Sequence, residues 1–177
     1  MGLPYTPTIH YTRTDSERRD PFLSWVRDDR AFFASGACHI LASLFVQMHQ
    51  HEGFRMEFLR PLHGMRGSHV YATDGTWAFD FDGWTPTKLL LASTSTAYRD
   101  AYPGWEYELT VINEPLDKFC AQNNHRPPQN FFHLPWERTY KYIESFSKSA
   151  PQVASPGHIT LQMTVANHGP SAFGRTV

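Results

Sequence analysis

Cys38, His69 and Asp80 are the side chains of this sequence whose types and placement could together carry out nucleophilic chemistry. A thiol attacks only as its thiolate, and it needs a neighbouring base that takes the proton and later returns it to a leaving group. A carboxylate behind that base orients the ring and stabilises its charged form. Cys38 directly follows Gly36 and Ala37 at the opening of an apolar run, while His69 and Asp80 flank the pair Asp74-Gly75. A nucleophile, a base and an orienting acid in such an arrangement would take an acyl group from an amide or ester as a thioester. The group would then pass to water or to an amine.

The base and the acid must be brought together by the segment 68–84, which reads as two strand-like runs joined by Asp74-Gly75, a strong hairpin signal. If those two residues form the turn, Thr73 faces Thr76, Ala72 faces Trp77, Tyr71 faces Ala78, Val70 faces Phe79 and His69 faces Asp80. Directly opposed Cβ atoms lie roughly 4.5–5.5 Å apart, close enough for a carboxylate to accept from an imidazole. Alternation puts Val70, Ala72, Trp77, Phe79 and Phe81 on one face and His69, Tyr71, Asp80 and Asp82 on the other. Asp80 is thus the first candidate for the orienting role and Asp82, diagonal to His69, the second. Tyr71 is a candidate supporting residue on the same face.

The nucleophile must be positioned by the run that starts at Cys38. Cys38, Leu41, Phe45 and Met48 recur at helical spacing, Ile40 and Leu44 widen the stripe, and Gly53 is a suitable residue just beyond the last turn. Cys38 then lies in the first helical turn, where unpaired amides and the positive end of the helix dipole favour a thiolate. Gly36 and Ala37 would let substrate backbone approach closely, and the Cys38 amide could face a developing oxyanion. A Ser35 cap would compete for an amide in that turn. Cys120, beside Leu116 and Phe119 on a short helical pattern, reads as core packing.

Around this centre, Asp20 before Pro21 and an apolar face predicts a short helix over 21–27. Alternation predicts strands over 54–60 and 105–111; Thr85 and Pro86 open a helix through Leu91, and two more helices fall at 115–122 and 135–146. The expectation is an α+β domain over 21–146, with the central helix packed on an antiparallel sheet. An N-terminal arm over 1–20 precedes it, and a linker and tail over 147–177 carry a late strand at 158–166.

Bulk properties narrow the function classes. The 177 residues suit one domain, and a formal charge of −1 gives no reason to expect nucleic acid or an anionic membrane as partner. Two cysteines do not make a disulfide scaffold, and no apolar leader or spanning segment is visible, which points to a soluble chain in a reducing cytoplasm. Ten histidines, with His49 and His51 near the end of the central helix and His39 beside Cys38, raise a metal, but His49 and His51 do not share a helix face and no Cys-x-x-Cys or His-Glu-x-x-His motif is present. No metal or cofactor is expected. A non-catalytic binding module using Trp84, Trp105 and Trp136 as partner anchors is the competing class.

Gly36-Ala37-Cys38 opening a helix, a strand led by His69-Val70-Tyr71 and a following strand Trp77-Ala78-Phe79-Asp80 resemble the transglutaminase-like branch of the papain-like thiol enzymes. The hairpin also resembles the corresponding piece of the arylamine N-acetyltransferases. The resemblance spans residues 32–84 and implies a Cys38 nucleophile, a His69 base and acid, and an Asp80 orienting group. It implies a protein or peptide substrate, with peptidase, amidase or glutamine deamidase activity ahead of transglutamination. Compact bacterial effectors and toxins built on that core are among the classes it brings in.

Overall fold

The structure is a computed structural model and describes residues 5–151. Four helices come first: α1 (Asp15–Arg19), α2 (Pro21–Trp25), α3 (Asp29–Ala34) and α4 (Cys38–Met48). The strands β1 (Arg55–Pro61), β2 (His69–Thr73), β3 (Trp77–Asp80) and β4 (Gly83–Pro86) follow. Next come α5 (Thr87–Ala101), β5 (Tyr107–Val111), α6 (Leu116–Gln122) and α7 (Trp136–Glu144). The strands form one antiparallel sheet in the order β4-β3-β2-β1-β5. The fold is therefore α+β, as expected.

Neighbouring strand residues point to opposite faces, and both faces of this sheet are covered. Phe58 enters the cluster that contains Phe45 of α4 and Phe119 of α6, whereas Leu59 packs with Tyr98 of α5 and Trp105. Phe45 stacks on Phe79 with ring centroids 4.1 Å apart, which seats the central helix on the sheet. All of β2 is buried. His69 and Asp80 are consequently interior groups, not a solvent-facing pair.

Asp20 caps α2 as expected, its Oδ1 accepting from the amides of Phe22 and Leu23. The hairpin register differs from expectation. Thr73 pairs with Ala78 and Ala72 with Phe79, a shift of two residues. Asp74 Oδ1 accepts from the Thr76 and Trp77 amides, and the Asp74 amide donates to Trp77 O, so Gly75 and Thr76 form the tip. Because the side-chain period is two, this even shift leaves each residue on its expected face. The second run also ends sooner than its alternation implies: β3 stops at Asp80 and the chain turns into β4 at Gly83. Gly83 has φ +80, and a Cβ there would meet the Phe146 ring at 2.5 Å.

Residues 5–20 are not a free arm. Tyr5 is in the core, Thr8 and Tyr98 share a hydroxyl hydrogen bond of 2.7 Å, and Thr14 and Glu17 form a capping box on α1. α3, capped by Asp28, was not anticipated, and α5 runs ten residues past Leu91 because its buried side includes Thr94 and Ser95 in place of large apolar residues. The strand expected at 158–166 lies outside the described residues.

Candidate active site

Cys38 opens α4 behind Ala37, which is the N-cap residue but supplies no side-chain cap. Ser35 does not compete for the first-turn amides. It terminates α3, and its carbonyl accepts from Arg27. The Ile40 amide donates to Ala37 O, whereas the Cys38 amide, at the first helical position, has no intrahelical acceptor. Cys38 is only 7 % exposed, yet it lines a cavity of about 600 Å³.

His69 opens β2, and its Nε2–H donates to Asp80 Oδ2 at 2.9 Å. Tyr5 donates to the same oxygen at 2.8 Å, while Asp80 Oδ1 accepts from the Asp82 amide at 2.9 Å. These donors hold the carboxylate. His69 and Asp80 are 0 % and 2 % exposed, and His69 Nδ1 has no hydrogen-bond partner among the described residues.

Burial pushes the Cys38 thiol up, but the imidazoles of His125, His39 and His69 beside the sulfur outweigh it and hold the thiol well below its ordinary value. Burial pulls His69 down; Asp80 and Cys38 overcome this and raise it to about 9. The two shifts have the signs of a thiolate beside an imidazolium.

Two of the sulfur's neighbours had no role in the catalytic reading. His39 is fully buried and neighbours Cys38 on α4; its Nε2–H donates to Arg126 O at 2.8 Å, and its Nδ1 is left without a partner among the described residues. His125 is placed by the end of α6. Asn124 takes φ +54 one residue past the C-cap Asn123, and the His125 amide donates to Cys120 O, the bond of a Schellman ending. His125 Nδ1–H then donates to Asn123 O at 2.9 Å. The Asn123-Asn124 pair after a helical run is a visible stop signal, but nothing local says that the following residue meets Cys38 87 positions away.

Ligand atoms of Cys38, His39 and His125 lie within 4.8 Å of one another. In both histidines one nitrogen donates to a backbone carbonyl, which leaves the other as a lone-pair donor, the arrangement typical of metal-ligating imidazoles. These three residues could hold a soft divalent ion. His125 joins this set across 87 positions of sequence, beyond the reach of helix-face spacing.

The candidate supporting residues fare differently. Asp82 does not touch His69: it accepts from the Thr6 amide at 2.9 Å and pairs with Arg30. Direct opposition in the observed register would fall to Asp82, but the chain turns away after Asp80 and the diagonal carboxylate makes the bond. Tyr71 stacks near His69 with centroids 6.0 Å apart, yet its hydroxyl is committed to Glu57 at 2.7 Å. Gly36, at φ +128, is needed for a different reason from the expected one. That left-handed backbone favours glycine, and the Arg13 guanidinium packs closely beside it, with Nη1 3.1 Å from where a Cβ would stand. Cys120 is buried core, as expected.

The proposed binding anchors are not exposed. Trp105 is 1 % exposed with its indole N–H donated to Arg66 O, and Trp84 and Trp136 are half-buried against the main core. No described helix is long and apolar enough to cross a membrane. Comparison of the chain with protein-family models, with curated proteins and with solved structures returns no match.

Proposed function

We propose that the protein is a papain-like, transglutaminase-like thiol enzyme that transfers an acyl group from an amide through Cys38, with hydrolysis as the outcome. The observation that carries this reading is the buried His69–Asp80 pair, with its remaining ring nitrogen unspent, beside the thiol that opens α4. The Cys38 thiolate attacks the amide carbonyl, and the carbon–sulfur bond forms. First-turn amides of α4 stabilise the oxyanion. The carbon–nitrogen bond breaks as the His69 imidazolium gives its proton to the leaving amine or ammonia. Water then attacks the thioester, His69 takes its proton, and the acid leaves as the sulfur returns to thiolate. The substrate is a protein or peptide amide. Water reaches the thioester through the cavity of about 600 Å³ that Cys38 lines.

The test is alkylation of Cys38 as a function of pH in the wild type and in His69→Ala, with Cys120 as the internal control. Fast labelling well below ~8.5 that is lost in His69→Ala supports the activated pair. Slow labelling of both cysteines, unchanged by the substitution, eliminates the enzyme reading.

A second reading has its own observation, the convergence of Cys38, His39 and His125. Zn²⁺ held there would take the thiolate out of acyl chemistry and serve as a structural or Lewis-acid centre. Metal analysis of the purified chain separates the two: stoichiometric metal that needs His39 and His125 favours this reading, and its absence after metal supplementation removes it.

A further inference from the structure

The cavity that Cys38 lines has a marked charge bias. Four arginines, Arg13, Arg18, Arg66 and Arg126, are among its lining residues, together with His125, and no aspartate or glutamate is. Elsewhere in the fold arginines find carboxylates: Arg30 pairs with Asp82, Arg55 with Glu57, Arg60 with Glu108 and Arg138 with Asp29. The cavity arginines instead bond backbone or are left short. Arg18 donates to Arg13 O and Arg126 to Arg18 O, while Arg13 Nε and Arg126 Nη1 are buried without partners among the described residues. Asp20 acts on Arg126 from outside the lining, but its Oδ1 is already the cap of α2.

We propose that the acyl substrate carries an anionic group, a carboxylate or a phosphate, which Arg13, Arg66 and Arg126 bind beside Cys38. This rests on the thiol-enzyme reading and adds the substrate's charge to it. The position of Arg13 is the most telling. Its guanidinium lies against Gly36, two residues before the nucleophile, with Nη1 3.1 Å from where a Cβ would stand. Burial, then repulsion from Arg18, Arg126 and Arg27, lowers Arg13 to about 10, the condition of a cluster that gains most from a counter-anion. Guanidinium groups suit this role because their paired N–H groups match the two oxygens of a carboxylate or phosphate. A neutral substrate would leave Arg13 Nε and Arg126 Nη1 buried and unpaired, which costs affinity.

Two alkylating agents of similar size and opposite behaviour test this. Iodoacetate is anionic and iodoacetamide is neutral; the rate ratio at Cys38 is compared with the ratio at free N-acetylcysteine. The expected ratio at Cys38 exceeds the free-thiol ratio by roughly ten-fold or more at low salt, and it falls with added NaCl. Arg13→Gln and the exposed Arg66→Gln each bring it down several-fold. A ratio equal to that of the free thiol, unmoved by either substitution, overturns the proposal. If Cys38 reacts with neither reagent, the thiol reading fails by itself. The anion site is then decided by calorimetric titration of the wild-type chain with pyrophosphate and with succinate. Binding that Arg66→Gln weakens sustains the site and tells phosphate from carboxylate; no heat with either anion overturns it.

Discussion

The chain's two cysteines occupy opposite environments. Both are buried, but Cys38 has three imidazoles around its sulfur, whereas Cys120 sits on α6 among apolar neighbours with, among the described residues, a single long contact of 3.9 Å to Arg126 O. Burial pushes the Cys120 thiol up to about 11, and the same desolvation acting on Cys38 is overcome by its histidines. Burial alone therefore makes an inert thiol, and it is the polar groups admitted beside it that make a reactive one.

The strongest way to break this comparison is to label both thiols in one experiment. At pH 7 a thiol held at about 11 is ionised to roughly one part in 10⁴, so Cys38 is expected to react at least ~10³ times faster than Cys120 in mass-spectrometric time courses. Equal rates would end the distinction. Next in size is His69→Ala, which is expected to lower amide hydrolysis by roughly 10²–10⁴ and to move Cys38 alkylation up toward the ordinary thiol range.

The pH dependence sharpens the same point. His69 is raised, so its charged form is fully present below the ordinary value of ~6.5 and is lost as pH rises through about 9. Cys38 is lowered, so its thiolate persists until pH falls through a value well below the ordinary one. Turnover should plateau between these limits and decline above about 9 as the imidazolium loses its proton, measurable as an alkaline limb in a pH–rate profile. His69→Ala should remove that limb.

Smaller effects concern stability. Asp80→Ala leaves a buried imidazolium without its carboxylate and should cost about 3–5 kcal/mol in denaturant unfolding. Tyr5→Phe deletes one donor to that carboxylate and should cost about 1.5–3 kcal/mol. A loss from Tyr5→Phe as large as that from Asp80→Ala would mean that residue 5 contributes through packing more than through its hydroxyl.

What was legible in the sequence follows the range of the interactions. The His69–Asp80 pairing survived an error in the hairpin register because a slip of two residues preserves the face, and Cys38 could be placed because helical periodicity is local. Asx-turn geometry at Asp74 was the competing signal that moved the turn. Tyr5, His125 and Arg13 were not legible as site residues. Tyr5 bonds Asp80 across 75 positions and reaches the site only through tertiary packing, which no local period encodes. Tyr71 and Asp82 were credited by face alone, but Glu57 and Arg30 claim them through strand pairing and docking.

The contact between Tyr5 and Asp80 also bears on the order in which reactivity can arise. Apart from the adjacent His39, the groups that tune Cys38 come from β2, β3 and the end of α6, and the carboxylate among them is held by the N-terminal segment. Contacts of such long sequence separation form late, because loop-closure entropy opposes them until the rest of the fold supplies compensating contacts. A nascent or partly folded chain thus lacks two of the three imidazoles, His69 and His125, at the thiol of position 38. On the proposed reading its nucleophilicity is a property of the finished fold and cannot precede the closure of these contacts.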